Sequence, residues 1–293
     1  MSFGIEVENL SLDYGDTRAL DDMSFTIPSG TIVGLLGRNG SGKTSLVSVL
    51  AAFRRGSSGE VRVDGQDPFE NAEIMANTCL IREGGDVADN ERVSSVIDFA
   101  ARHRLNWDAA LADRLLDRFK LPRKKRVKSL SRGMRSALGV VLGMASRAPL
   151  TIFDEVHLGM DAPSRYAFYE ELLNDYLEHP RTVILSTHLI EEVASLFEDV
   201  LIIDHGGVVM HEPTEDVRER GVAITGPIEA VDRFCEGMTV LNRQQLGGSG
   251  QVTTFGTMTD DRRREAKAAG LELGPVPLQD LFVHLTKDKE DRS

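Results

Sequence analysis

A glycine-rich segment has the residue types and the spacing that hold a polyphosphate. Its eight residues are Gly37, Arg38, Asn39, Gly40, Ser41, Gly42, Lys43 and Thr44. In such a pattern, backbone amides face the α- and β-phosphates, Lys43 reaches the β- and γ-phosphates, and Thr44 binds Mg²⁺. The segment follows the apolar run 31–36 and precedes a predicted helix at 45–50. This order of strand, loop and helix predicts a P-loop for a nucleoside triphosphate; the alternative is an ordinary glycine-rich turn.

Two carboxylates and an imidazole also follow predicted strands. Because strands of a parallel sheet end at the ligand crevice, we expect Asp154 beside the P-loop, where it holds Mg²⁺ or its water. Glu155 is then near an attacking water and acts as the base. His188 ends another strand, where it contacts the γ-phosphate and steadies that water. The alternatives are two exposed carboxylates at a strand end and a structural histidine.

These side chains need a sheet to position them. Residues 3–36 alternate apolar and polar positions, which predicts a strand-rich N-terminal lobe that leads into the P-loop strand. Apolar periodicity predicts a helical insert at 94–119 and further helices up to about 146 and at 164–177, with strands at 150–153 and 182–186. Alternating strands and helices indicate a parallel sheet.

The C-terminal part has a different texture, beginning near Pro213. Its pattern predicts strands at 221–225, 239–245, 252–255 and 271–276 and helices at 228–234 and 260–269. This β-α-β-β-α-β order is typical of a small α+β module of the ferredoxin-like type, closed by an amphipathic helix from Leu278 to Leu285. We expect two domains, 1–212 and 213–293.

Composition limits the function classes. The chain has 293 residues, and its 34 basic and 46 acidic residues give a formal charge of −12, which disfavours binding to nucleic acid. No apolar run approaches the roughly twenty residues that cross a bilayer, and no secretory signal is visible, so we expect a cytoplasmic chain without a membrane span. Two cysteines, Cys79 and Cys235, favour reduced, buried thiols.

The motifs, taken in order, resemble those of ABC-type ATPases, the nucleotide-binding subunits of ATP-binding cassette transporters. The resemblance covers about residues 3–212. It identifies 37–44 as Walker A, 150–155 as Walker B, Asp161 as the D-loop, His188 as the switch histidine and Tyr14 as the ring that stacks on adenine. The family signature corresponds to Leu130, Ser131, Arg132, Gly133 and Met134. In detail the chain is similar to bacterial ABC-2-type exporter ATPases, and importer ATPases fit less well.

The chain departs from the family pattern at several positions. Glu83 stands where a glutamine is usual, and the resemblance makes it a Mg²⁺ ligand together with Thr44 and Asp154. Arg132 and Met134 replace the commonest Gly and Gln of the signature, while Val156 replaces a usual Pro. The signature keeps a hydroxyl donor and an unobstructed glycine backbone at a helix N-terminus. Since Glu155 is intact, we expect a hydrolysing site.

The resemblance implies an α/β P-loop NTPase with a RecA-like core, an N-terminal antiparallel β-lobe and a helical ABC subdomain at about 84–149. It also implies ATP and Mg²⁺ as cofactors and a homodimer or heterodimer in which one signature covers the partner's nucleotide. A separate transmembrane permease would dock near 83–93 and hold the chain at the cytoplasmic face of the membrane. The alternative is a stand-alone regulatory ATPase whose C-terminal module binds a ligand or soluble partner.

Overall fold

The computed structural model describes residues 2–84 and 87–286, except for the side chain of Leu246. Gly85 and Asp86, inside the segment predicted to meet a permease, lie outside the described residues. The chain divides into two compact units, residues 1–211 and 212–293. Each unit has its own sheet structure.

In its described part, the first unit combines strands with seven α-helices and two 3-10 helices, Val127–Ser129 and Val156–Gly159. Its strands are β1 Ile5–Tyr14, β2 Thr17–Ile27, β3 Ile32–Leu36, β4 Ser58–Val63, β5 Thr78–Arg82, β6 Leu150–Asp154, β7 Thr182–Thr187, β8 Asp199–Asp204 and β9 Gly207–Pro213, whose last residues belong to the second unit. Its helices are α1 Lys43–Leu50, α2 Ala72–Ala76, α3 Val93–His103, α4 Ala109–Arg118, α5 Arg132–Ser146, α6 Ala162–Glu178 and α7 Ile190–Val193.

A six-stranded sheet in the order β5-β6-β7-β3-β8-β9 carries the chemistry. Strands β3, β6 and β7 are buried along their whole length, as expected for parallel strands covered on both faces. The pairs from β5 to β8 are parallel, and their register sets Leu36 opposite Thr187 and Asp154 opposite Ser186. The carboxyl ends of β3, β6 and β7 therefore meet at one edge, as the sequence predicted.

The N-terminal lobe is a separate antiparallel sheet in the order β2-β1-β4. The hairpin of β1 and β2 buries alternate apolar residues such as Ile5 and Val7. Strand β4 was not predicted, because four of its six residues are exposed and its apolar alternation is limited to Val61 and Val63. The lobe's inner face and α1 share one core with β3, β6 and β8.

The helical insert contains α3 and α4, and both pack against α5. Helix α5 is buried over most of its length, from Ser136 to Ser146, and it lies against β5 and β6. Its first turn carries the signature residues Arg132, which is exposed, and Gly133 and Met134, which are half-buried. The position of the signature is thus fixed by the packing of the rest of its own helix.

The second unit contains α8 Thr214–Arg220, β10 Gly221–Pro227, α9 Ile228–Phe234, β11 Val240–Leu246, β12 Ser249–Phe255, α10 Asp260–Ala268, β13 Glu272–Pro275 and α11 Leu278–Leu285. Its antiparallel sheet has the order β11-β12-β10-β13. Val222, Ile224, Val231, Phe234 and Val252 form the centre of its core. The elements from β10 to β13 follow the predicted order; helix α8 was not predicted.

Candidate nucleotide site

The loop between β3 and α1 has the shape of a phosphate cradle. Gly42 has a φ of 104°, and a Cβ there would lie 2.7 Å from the carbonyl oxygen of Ala19. Only glycine fits both this left-handed backbone and this close approach. The N–H of Ser41 donates to the Arg38 carbonyl at 3.1 Å, which closes the turn. Arg38, Asn39 and Gly40 are exposed at its tip, while Gly37 is buried at its start.

Lys43 and Thr44 contact both acids at the end of β6. The Lys43 Nζ donates to the carbonyl oxygens of Gly37 at 2.7 Å and Arg38 at 3.2 Å, and it lies 3.6 Å from Oε1 of Glu155. The Thr44 hydroxyl donates to Oδ2 of Asp154 at 2.9 Å. The structure therefore brings the predicted phosphate-binding and acidic residues together.

The pair of Thr44 and Asp154 fits a magnesium ion. Asp154 is only 4% exposed, and its Oδ1 is buried with no hydrogen-bond partner among the described residues. A buried, unsatisfied carboxylate oxygen beside a hydroxyl is the hard oxygen set that Mg²⁺ prefers. Glu83, the third predicted ligand, instead forms an ion pair with Arg132 of the signature.

Two histidines surround the carboxylate of Glu155, which is 15% exposed. Its Oε2 lies 2.9 Å from Nδ1 of His188 and 3.3 Å from Nε2 of His157. Glu155 has a φ of 51°, and its N–H donates to the Ser186 carbonyl at 3.1 Å. This left-handed turn brings the following residues back over the carboxylate. His157 was not predicted as a site residue, although its place two residues after the predicted base was a signal.

The same neighbours set the charge state of Glu155. Burial raises the pKa of its carboxyl, but the hydrogen bond from His157 and the charges of His188 and Lys43 outweigh burial. The pKa of Glu155 therefore lies below its ordinary value. The group is a carboxylate at neutral pH, which is the state that a general base requires.

The signature residues begin helix α5. Ser131 is its N-cap, and its hydroxyl accepts from the N–H of Met134 at 3.2 Å. Leu130 is buried beneath this turn, whereas Ser131 and Arg132 are exposed. A Cβ on Gly133 would lie 2.6 Å from the carbonyl oxygen of Gly159, so this glycine is also required by packing within the chain.

The signature shares a groove with the predicted D-loop. Ser131, Arg132, Gly133, Met134 and Asp161 line a cavity of about 850 Å³. Asp161 caps α6, since its Oδ1 accepts from the N–H of Ser164 at 3.1 Å. Hydrogen bonding with Ser164 lowers the pKa of the Asp161 carboxyl.

Tyr14 lies at the end of β1, beside the hairpin turn. Its side chain is 38% exposed, and the Arg54 guanidinium carbon lies 4.6 Å from the ring centroid. The arginine thus covers the ring that was predicted to stack on adenine, as a cation–π contact.

Known proteins share this combination of motifs. A sequence model of the ABC transporter family matches residues 20–157. An uncharacterized ABC transporter ATP-binding protein of Methanocaldococcus jannaschii is 31% identical over 218 residues, which cover 73% of this chain and 79% of the relative. The chain belongs to the ABC transporter ATP-binding family. As a cassette of this family, it is an ATPase.

Two further similarities support the family and the fold. The doxorubicin resistance ATP-binding protein DrrA of Mycobacterium tuberculosis is 29% identical to this ABC cassette over 241 residues, covering 79% of the chain and 70% of the relative. A solved ATP-binding subunit of an ABC transporter has a TM-score of 0.66 at 24% identity, covering 73% of this chain and 91% of that one. The α/β P-loop NTPase fold with mixed sheets is thereby confirmed.

The part of the cassette that the structure describes contains no helix with both the length and the apolar character needed to cross a bilayer.

Proposed function

We propose that this chain is the ATP-hydrolysing subunit of an ABC exporter, which dimerises around ATP and drives a separate transmembrane permease. The observation that carries the proposal is the contact of the P-loop residues Lys43 and Thr44 with Asp154 and Glu155. Lys43 is a buried cation, Thr44 and Asp154 form a metal-binding pair, and Glu155 is the base. These groups lie next to one another.

The chain's own residues divide the work of hydrolysis. Lys43 binds the β- and γ-phosphates, and the carboxylate of Glu155 accepts a proton from the attacking water. His188, hydrogen-bonded to Glu155, contacts the γ-phosphate and orients that water. Thr44 and Asp154 hold Mg²⁺, which neutralises charge on the phosphate oxygens when it is bound. Glu83 joins this metal shell if its contact with Arg132 opens.

The exposed signature supports dimerisation. Ser131 and Gly133 begin a helix whose N-terminus carries positive potential, so they suit the γ-phosphate held by Lys43 of a partner copy. Arg132 adds a charge at the same surface, and Asp161 lines the same groove. Tyr14 stacks on adenine either after Arg54 has moved off the ring or through the opposite face of the ring.

An apolar groove supports a permease. Phe53, Met75 and Phe99 are 61%, 47% and 65% exposed, and they line a cavity of about 940 Å³. Arg82 and Glu91 line the same cavity. A hydrophobic groove with charged residues among its lining fits a short amphipathic helix of a membrane protein. Such docking would hold the chain at the cytoplasmic face of the membrane.

Export is the direction we favour. The relative DrrA is named for doxorubicin resistance, which fits removal of a toxic compound from the cell.

The C-terminal unit, which we assign to residues 213–293 and to the ferredoxin-like class, is a structural cap of the dimer. The second candidate is a stand-alone regulatory ATPase, in which this unit binds a ligand or soluble partner.

Purification from the native membrane tests these alternatives. We expect the chain to co-purify in detergent with a stoichiometric multi-span protein, and Phe99→Glu to release that partner while basal ATPase activity stays. High ATPase activity without any membrane partner would favour the stand-alone regulatory ATPase.

Dimerisation is tested separately by light scattering of Glu155→Gln with MgATP. Binding of MgATP should double the mass of this variant. A mass that stays that of a monomer, with or without the cognate subunits, would refute dimerisation around ATP.

A further inference from the structure

The base of this ATPase lies in a cluster of three metal-binding side chains. Glu155, His157 and His188 each offer a donor atom, and all three atoms lie within 4.8 Å of one another. In the residues 2–84 and 87–286, this is the one group of three or more histidine, cysteine or acidic side chains so arranged. His157 contacts the base but has no direct role in the hydrolysis scheme above.

The two distances from Glu155 to the histidines are close to those of tetrahedral coordination. Ligands about 2.0–2.1 Å from a tetrahedral Zn²⁺ are about 3.3 Å from one another. Oε2 of Glu155 lies 3.3 Å from Nε2 of His157 and 2.9 Å from Nδ1 of His188. Small rotations of these side chains would therefore bring an ion within bonding distance of all three atoms.

The cluster is also built into the fold. His157 is 2% exposed, so its ring is held by the packing around it. Its Nε2, the proposed ligand atom, lies 3.2 Å from Oγ1 of Thr187, and the ion would replace this contact. Thr187 keeps another partner, because its Oγ1 accepts from the N–H of Leu189 at 2.9 Å. His188 is 43% exposed, so an ion has a path from solvent. A buried ligand with an open neighbour is the usual plan of an accessible metal site.

The donor set selects the kind of ion. Two imidazoles and one carboxylate suit Zn²⁺, whereas Mg²⁺ prefers oxygen ligands such as those of Thr44 and Asp154. The positive charge of Lys43 repels a cation at this site. Its Nζ faces Oε1 of Glu155, however, whereas both imidazoles face Oε2. The two oxygens of one carboxylate thus serve different neighbours.

We propose that Glu155, His157 and His188 bind Zn²⁺ and that the bound ion arrests ATP hydrolysis. The ion would occupy the oxygen of Glu155 that faces the histidines and would hold His188 away from the γ-phosphate. The binding part stands on the cluster alone; the arrest rests on the roles proposed for Glu155 and His188.

A cobalt titration of the untagged, nucleotide-free chain tests binding without any reference to activity. We expect one Co²⁺ per chain, with the intense visible absorption of a tetrahedral site, displaced by Zn²⁺ and retained in excess Mg²⁺. His157→Asn and His188→Gln should each abolish this absorption. His205→Asn is the matched control, since His205 lies outside the cluster, 3.7 Å from Asp204, and is 78% exposed. Thermal melts show whether each variant is folded.

The outcomes separate the two parts of the proposal. Absence of the tetrahedral absorption in the wild-type chain, or its survival in a folded His188→Gln variant, overturns the site. If the site binds Zn²⁺, turnover of wild-type MgATP should fall at least tenfold with Zn²⁺ and recover with a chelator. Binding with unchanged turnover overturns the arrest, and it does so even if the assignment of ATPase activity is correct.

Discussion

The catalytic cluster and the signature surface of this cassette are built in opposite ways. The catalytic cluster, formed by Lys43, Asp154 and Glu155, is nearly enclosed: Lys43 is 6% and Asp154 4% exposed. The signature surface, formed by Ser131 and Arg132, faces solvent, and the Arg132 side chain is 67% exposed. The cluster's charges are arranged within one chain, whereas the signature presents its polar groups outward. One half of the site is preorganised within the chain, and the other is open to solvent.

This difference predicts how each region responds to change. In the enclosed cluster, loss of one partner leaves a buried charge or a missing proton acceptor, so effects should be large. On the signature surface, water replaces a lost partner, so intrachain effects should be small and salt-dependent. Gly133 is the exception on the signature surface, because it is packed against its own chain.

The largest effect is expected for Glu155→Gln. Loss of the base should lower turnover by about 10²–10⁴-fold, while nucleotide affinity stays the same, since the amide keeps the shape of the side chain. Phosphate release and binding of a fluorescent ATP analogue measure the two quantities. Glu178→Gln, at an exposed position late in α6, is the control. Normal turnover in the variant would remove Glu155 from this role.

A smaller effect is expected for Gly133→Ala. The new Cβ would lie 2.6 Å from the backbone oxygen of Gly159, so helix α5 or its neighbour must shift. Overpacking of this kind lowers the free energy of unfolding by about 1–3 kcal/mol, more than the helix preference of alanine returns in the first turn. Urea denaturation measures this change. Gly274→Ala, where a Cβ meets nothing within 4 Å, should change little. Equal stability of both variants would contradict the close packing.

The ion pair of Glu83 and Arg132 should contribute less. A double-mutant cycle with Glu83→Gln and Arg132→Gly, the residues that are usual in the family, should give a coupling of about 0.2–1 kcal/mol at low salt. The coupling should shrink toward zero in 1 M salt because both side chains are substantially exposed. A coupling that survives high salt would mean that this pair belongs with the enclosed cluster.

The smallest effect concerns acid stability at Asp161. Its pKa is lowered in the folded chain, so its contribution is complete above the ordinary aspartate pKa. That contribution is lost as the pH falls from there through the lowered folded value. Asp161→Asn keeps a capping oxygen but cannot titrate.

We therefore expect the melting temperature of the wild-type chain to fall toward that of Asp161→Asn over this acid interval. Parallel thermal melts between pH 5 and pH 2 measure the difference. A constant difference across these pH values would show that the carboxylate charge does not stabilise the cap.

The sequence predicted the parts of the site that a local pattern determines. Lys43 and Thr44 follow a strand and begin a helix, and Asp154 ends a buried strand, so parallel pairing alone brings them together. The ordered elements from β10 to β13 were likewise readable from apolar periodicity. In each case the signal is the chemistry of neighbouring residues in the chain.

Contacts between distant residues were out of reach. Arg132 and Glu83 are 49 positions apart, and nothing in either segment indicates that they meet. His157 reaches Glu155 only because the backbone turns left-handed at a non-glycine residue, which residue preference does not predict. Arg54 covers Tyr14 for a similar reason, since Tyr14 ends β1 and Arg54 lies in the loop between α1 and β4. Such contacts are properties of tertiary packing.

The near-touch between Gly133 and Gly159 ties two distant events to one another. Gly159 comes four residues after Glu155, and the space between the two glycines leaves no room even for a methyl group. A displacement of the first turn of α5 must therefore be passed to the segment that starts at the base. If two copies pair around ATP as proposed, a movement of one copy's signature turn would displace the residues that follow its own base. The rates of hydrolysis at the two sites would then depend on each other.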